Sequence, residues 1–169
     1  MQQETNLHHL KKEVQRKLHQ SFQIAETYFA RQFLIPNVNY KVRGAKAGVA
    51  YLQQNEIRLN PILLLENSED FIREVVPHEL AHVLVYQLFG RVKPHGQEWR
   101  NMMKNVFHLE PRVYHQFDTS NVVKSVFPYE CRCKVHNLTM RRHTNIQNGK
   151  IIYFCKECKF ELKFQPHVK

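Results

Sequence analysis

Apolar residues recur at helical spacing through Leu7, Leu10, Val14, Leu18, Phe22, Ala25, Phe29 and Phe33, with Lys11, Lys12, Arg16 and Lys17 on the opposite face. This repeat predicts a long amphipathic helix over about 7–33, closed by Pro36, whose apolar stripe covers a domain core. The period then drops to two. Val38/Tyr40/Val42 and Ile57/Leu59 alternate, 48–52 adds a third strand-like stretch, and Gly44, Gly48 and Gln53 to Asn55 mark turns. A small, mostly antiparallel sheet of three strands is the expectation. Helical spacing returns at Ser68, an N-cap followed by Glu69 and Asp70, and runs through Phe71, Ile72, Val75 and Val76 to Phe89 and Gly90. Pro77 lies inside that run and requires either a kink or a fresh helix start. After a loop over 90–96, a third helix is predicted from about Gln97 to Phe107, with Trp99, Met102, Met103 and Val106 facing the core. Residues 109–121 read as a connector, and from Val126 strand-like pairs alternate with cysteines. The fold class is α+β.

Composition adds limits. Hydrophobic and charged fractions of 43% and 24% belong to an ordinary folded chain and exclude global disorder. No apolar run is long enough to span a bilayer, and the polar start over 1–17 does not look like a secretory signal, so a cytoplasmic location without membrane attachment is expected. The net charge of +10 is unevenly placed: residues 121–169 carry ten Lys/Arg against three Asp/Glu. That segment also holds all four cysteines, Cys131, Cys133, Cys155 and Cys158. In a reducing compartment two tight cysteine pairs favour metal over disulfides. Two domains follow, 1–121 and a small basic zinc-ribbon module over 122–169.

The first domain carries His78-Glu79-Leu80-Ala81-His82. Residues four apart share a helix face, so His78 and His82 can present two imidazoles to one ion, with Glu79 beside a metal-bound water as general base. Flanking Val75, Val76, Leu80, Ala81, Val83 and Leu84 argue that the helix is buried, where charge without a purpose is costly. A catalytic zinc site wants a third protein ligand and an open position. Six residues past His82 stands Leu88, which excludes one known spacing. His95, between Pro94 and Gly96, is the better candidate and Glu98 the runner-up. His108, His115, His8, His9 and His19 read as surface histidines. No oxyanion donor stands out, Tyr114 in the connector being one option.

This motif, followed at short distance by His95-Gly96-Gln97-Glu98-Trp99, resembles the SprT family, the bacterial branch of SprT-like metallopeptidases to which the eukaryotic protease Spartan is related. The resemblance covers nearly the whole chain. It implies a zincin-like metallopeptidase domain with zinc on His78, His82 and His95, Glu79 as catalytic base, and a zinc ribbon behind it. It also implies cleavage of proteins on, or crosslinked to, DNA.

For the ribbon, Cys155-x-x-Cys158 is one clear knuckle. Cys133 and His136 have the same spacing, giving Cys133, His136, Cys155 and Cys158 as the structural zinc set, with Cys131 in place of His136 as the alternative. The family ribbon commonly carries C-x-x-C at its first knuckle, from which His136 departs. Asn148-Gly149 reads as a hairpin turn. Arg141, Arg142, Lys156 and Lys159 are candidate phosphate contacts, and Tyr153, Phe154, Phe160 and Phe164 are stacking candidates, at least half of which a module this small needs for its own core. The leading reading is a zinc metalloendopeptidase with protein substrates and a DNA partner. The competing readings are a DNA-binding regulatory zinc protein without proteolysis and a general peptidase with a merely stabilising ribbon.

Overall fold

In the computed structural model, which describes residues 2–119, 121–122 and 126–165, the chain divides into two compact units, Met1–Val122 and Val123–Lys169. Helix α1 (Gln2–Phe29) buries Leu10, Val14, Leu18, Phe22 and Ala25, the stripe that the sequence pattern marks. Each fully buried Leu, Val or Phe contributes about 1.5–3 kcal/mol, so this face alone anchors the helix. It closes earlier than Pro36. Ala30 turns left-handed (φ 46°) and Arg31 N–H donates to Glu26 C=O at 3.2 Å, a six-residue cap that stops the helix at Phe29.

Strands β1 (Asn37–Asn39), β2 (Gly48–Tyr51) and β3 (Glu56–Leu59) form a sheet in the order β1-β3-β2. The β2–β3 pair is antiparallel, but β1 runs parallel to β3, so the sheet is mixed rather than mostly antiparallel. The cause is the path between β1 and β2. Val42 N–H extends the parallel pairing by donating to Leu59 C=O at 3.2 Å; Gly44 (φ 75°) then turns the chain across the end of β3 to enter β2 on the opposite edge.

Asn60 sits at that crossing, fully buried and fully bonded. Its Oδ1 accepts from Ile62 N–H (3.1 Å) and Leu63 N–H (3.4 Å), capping α2 (Pro61–Glu66). Its Nδ2 donates to Gly44 C=O (2.8 Å) and Lys46 C=O (3.0 Å), tying the crossover loop down. Neither α2 nor this tie is apparent from the sequence pattern.

The long second helical run begins as α3 (Ser68–Asp70), widens into a π turn over Phe71–Val75, and continues as α4 (Val76–Phe89). The π turn answers the question posed by Pro77. With bonds of the i→i+5 kind, as from Val76 N–H to Phe71 C=O, the register shifts just ahead of the proline ring, which then occupies the first turn of α4. Helix α5 (Gln97–Asn101) also passes into a π turn, Met102–Val106, burying Trp99, Met102, Met103 and Val106. No helix among the described residues is long and apolar enough to cross a membrane.

In the second unit β4 (Val126–Glu130) pairs antiparallel with both β5 (Val135–Thr139) and β6 (Lys163–Phe164). Between β5 and the second cysteine pair lies helix α6 (Met140–Gln147). Asn148-Gly149 therefore ends a helix instead of closing a hairpin, with Gly149 at φ 65° and Lys150 N–H on Asn145 C=O (2.9 Å). A left-handed glycine serves either purpose, and local sequence does not separate them. Tyr129, Leu138, Leu162, Cys131 and Cys155 make up the buried centre, too small a core to stand without a staple.

Candidate metal centres

Helix α4 places His78 and His82 on one face, and the loop before α5 brings in His95. The Nε2 atoms are 3.3 Å apart for His78–His82 and 3.1 Å apart for each of the pairs with His95. A ring nitrogen of a neutral imidazole either carries a proton or offers a lone pair, so among three mutually close nitrogens at least one pair must face like to like. A cation at their centre removes that conflict. Metal–nitrogen bonds of about 2.0–2.1 Å in a tetrahedron set ligand nitrogens about 3.3 Å apart, matching the spacing found. Burial, then mutual repulsion, pushes His78 down to about 4 and His82 to about 3, so both are neutral and ready to ligate at neutral pH. His95 is also lowered, by burial and then by Arg100.

Neighbours fix the three rings. The Arg112 backbone, hydrogen-bonded to His78, opposes the lowering of that imidazole. Trp99, buried to 1% exposure, stacks on His82 (5.6 Å, 23°), meets His78 and His95 edge-on, and donates Nε1–H to His78 C=O at 3.3 Å. His95 adopts a left-handed backbone (φ 55°), and Arg100 Nε holds its carbonyl at 3.2 Å. Gly96 is required there, since a Cβ would stand 2.9 Å from Lys93 C=O. Glu98 lies outside the histidine group.

Glu79, the residue after His78 on α4, is buried, and burial raises its carboxyl to about 8, against the opposing pull of the Ala50 N–H and Lys46. Its space is provided by Gly48 on β2, where a Cβ would lie 2.7 Å from Glu79 Cγ and 2.8 Å from Oε1. A cleft of about 200 Å³ opens over His78 and Glu79, walled by 45–48 on one side and 110 and 112–115 on the other. Across it His115 Nε2 meets Ala45 C=O at 3.1 Å, so this histidine is part of the cleft wall rather than a free surface group. Tyr114 lines the same cleft but is 85% exposed.

The second cluster is Cys131, Cys133, Cys155 and Cys158, whose sulfurs all lie within 4.8 Å of one another. Cys131–Cys133 and Cys133–Cys155 are 3.3 and 3.7 Å apart, against about 3.8 Å between sulfurs on a tetrahedral zinc with bonds of about 2.3 Å. The structure thus gathers the alternative set containing Cys131, and His136 stands outside the four, its Nε2 3.2 Å from Cys131 Sγ. The short Cys131-x-Cys133 spacing works because Lys134 C=O receives the Cys131 N–H at 3.2 Å, bending the chain tightly between β4 and β5. In the second knuckle a Phe160 N–H lowers the Cys158 thiol to about 6, and the Cys158 N–H does the same in direction for Cys155.

A family model described as SprT-like matches residues 18–115, from the second half of α1 to the cleft wall, including all three histidines and Glu79. This chain belongs to the SprT-like family. The family is of the metallopeptidase type. Its relatives include Protein SprT of Pasteurella multocida, 66% identical over 98% of this chain and 100% of the relative. Protein SprT of Actinobacillus succinogenes is 53% identical over 96% of each chain, and that of Escherichia coli 49% identical over 88% of this chain and 90% of its own. No solved structure matches.

Of the basic candidates, Arg142 and Lys156 line one hollow of the SprT-like chain's second unit together with Lys134, whereas Arg141 and Lys159 are exposed elsewhere on it. Tyr153 and Phe164 pack on the ribbon core, while Phe154 and Phe160 remain exposed, at 59% and 40%. Arg132, absent from the sequence-derived set, lies over the Phe160 ring at 3.4 Å, and Arg142 is 5.7 Å from the centre of Tyr153. Only the fold could bring Arg132 and Phe160 together.

Proposed function

We propose that this protein is a zinc-dependent endopeptidase of zincin-like build that hydrolyses DNA-associated or DNA-crosslinked proteins in the cytoplasm. The observation that carries the reading is the buried Glu79 carboxyl, in space cleared by Gly48, which lines the same cleft as His78 of the convergent histidine group. A purely structural metal site has no use for that group. Zinc held there supplies a Lewis acid and an acidified water. His78, His82 and His95 would hold the ion, with Trp99 packed against all three rings. Glu79 accepts the proton of the attacking water and delivers it to the leaving amine. A neighbouring cation opposes the burial that otherwise keeps Glu79 protonated. The outer edge of β2 borders the cleft and suits an extended peptide. DNA as partner is supported by the charge of the second unit and by the Arg132–Phe160 and Arg142–Tyr153 pairs on its surface. The four cysteines hold a second, structural zinc.

The test is metal content and cleavage of a purified DNA-binding protein, with and without DNA, by wild type and Glu79→Gln. Two zinc equivalents in both, and a drop in cleavage of about 10³-fold in the variant, are expected. Equal cleavage by the two proteins would replace this reading with a regulatory, non-proteolytic one.

A further inference from the structure

A structural zinc takes four ligands, yet the ribbon offers five donors. The fifth is His136. It sits on β5, backbone-paired with Tyr129 of β4, and its Nε2 is 3.2 Å from Cys131 Sγ. A nitrogen and a sulfur bound to the same tetrahedral zinc lie about 3.5 Å apart, so the imidazole already occupies a position next to the ion's coordination sphere. The donors nearest to it are unequal. Cys131 is buried, whereas Cys133 lies exposed in the bend between β4 and β5. With either cysteine taken away, three sulfurs remain in the cluster and this imidazole is the donor beside them. The second knuckle has no such spare: Cys155 and Cys158 flank Glu157, which is drawn off by Lys134 Nζ at 2.5 Å.

We propose that His136 is a reserve zinc ligand, which takes the vacant place when Cys133 or Cys131 is lost from the ion. The exchange exchanges one thiolate for a neutral imidazole and so makes the site one charge unit less negative while the ribbon stays stapled. Alkylation of Cys133 by iodoacetamide is one such loss: the sulfur forms a bond to carbon, iodide leaves, and the thioether no longer competes as a ligand. The proposal stands apart from the peptidase reading, since none of its residues belongs to the histidine centre.

The experiment uses full-length protein reconstituted with cobalt(II), whose thiolate-to-metal charge-transfer absorption counts bound sulfurs; the histidine centre adds nothing to that band. Wild type and His136→Ala should both show four sulfurs, which also establishes that the fold accepts the alanine. Cys133→Ala should retain the metal with three sulfurs. Cys133→Ala/His136→Ala should lose it to a chelator more than about 100-fold more readily than Cys133→Ala, beyond the cost of removing a hydrogen-bond partner from a ligand. Cys155→Ala should weaken the site equally with or without His136. Equal metal loss from Cys133→Ala and the double variant would overturn the proposal, leaving His136 as a hydrogen-bond donor to Cys131. A three-sulfur spectrum in wild type would overturn it too, making His136 a resident ligand.

Discussion

The Glu79 carboxylate fits against β2 because position 48 has no side chain. Gly48→Ala is expected to displace Glu79 by about an ångström and reduce cleavage about 100-fold, with both zinc equivalents retained on elemental analysis. Glu79 also gives the metal-free protein an unusual pH dependence. Its folded-state value of about 8 lies above the ordinary carboxyl value of 4.5, so the folded form holds a proton that the unfolded form releases, and stability falls as pH rises from about 4.5 through 8. His78 and His82, at about 4 and 3, act at the other end: the unfolded imidazoles take up protons first, and stability falls as pH drops below about 6.5. Thermal melts of chelator-treated protein should therefore lose the alkaline arm, and keep the acid arm, in Glu79→Gln. At this scale the meeting of His78, His82 and His95 was legible in their spacing. The contacts of Arg100 and the Arg112 backbone were not, because they act through backbone atoms that carry no residue signature.

Among the elements, α4 was readable from its apolar flanks, but the π turn ahead of Pro77 was not, since a one-residue widening barely alters the hydrophobic period. The sheet was visible as three alternating stretches, whereas its mixed direction depends on a crossover through Gly44 that alternation does not encode. Asn60 joins these parts, capping α2 while holding the loop that forms one cleft wall. Asn60→Ala should cost about 3 kcal/mol in urea unfolding, combining a lost cap with unsatisfied buried carbonyls. Trp99→Phe removes the bond to His78 C=O while leaving an aromatic ring in place. Zinc affinity at the histidine centre is expected to fall about tenfold in chelator competition, with the four-sulfur cobalt band unaffected.

For the molecule as a whole, charge and cysteines concentrate in the second unit, so affinity for polyanions should depend on it. Full-length protein is expected to bind single-stranded DNA with an affinity that falls steeply with salt, and residues 1–122 alone should lose most of that binding while keeping one zinc. Binding unchanged by the truncation would move the DNA partner to the first unit. The sequence by itself determined the residue types and their local periods: a helix with two histidines four apart and a glutamate between them, a third histidine soon after, and a basic segment with paired cysteines. Those features depend on neighbours within a turn or two, which spacing records. Tertiary structure decided the rest, because it depends on what the chain meets across long separations. Gly48 came to face Glu79, Arg132 to cover Phe160, and His115 to reach Ala45. Each of these is a distance closed by folding, and no local pattern specifies it.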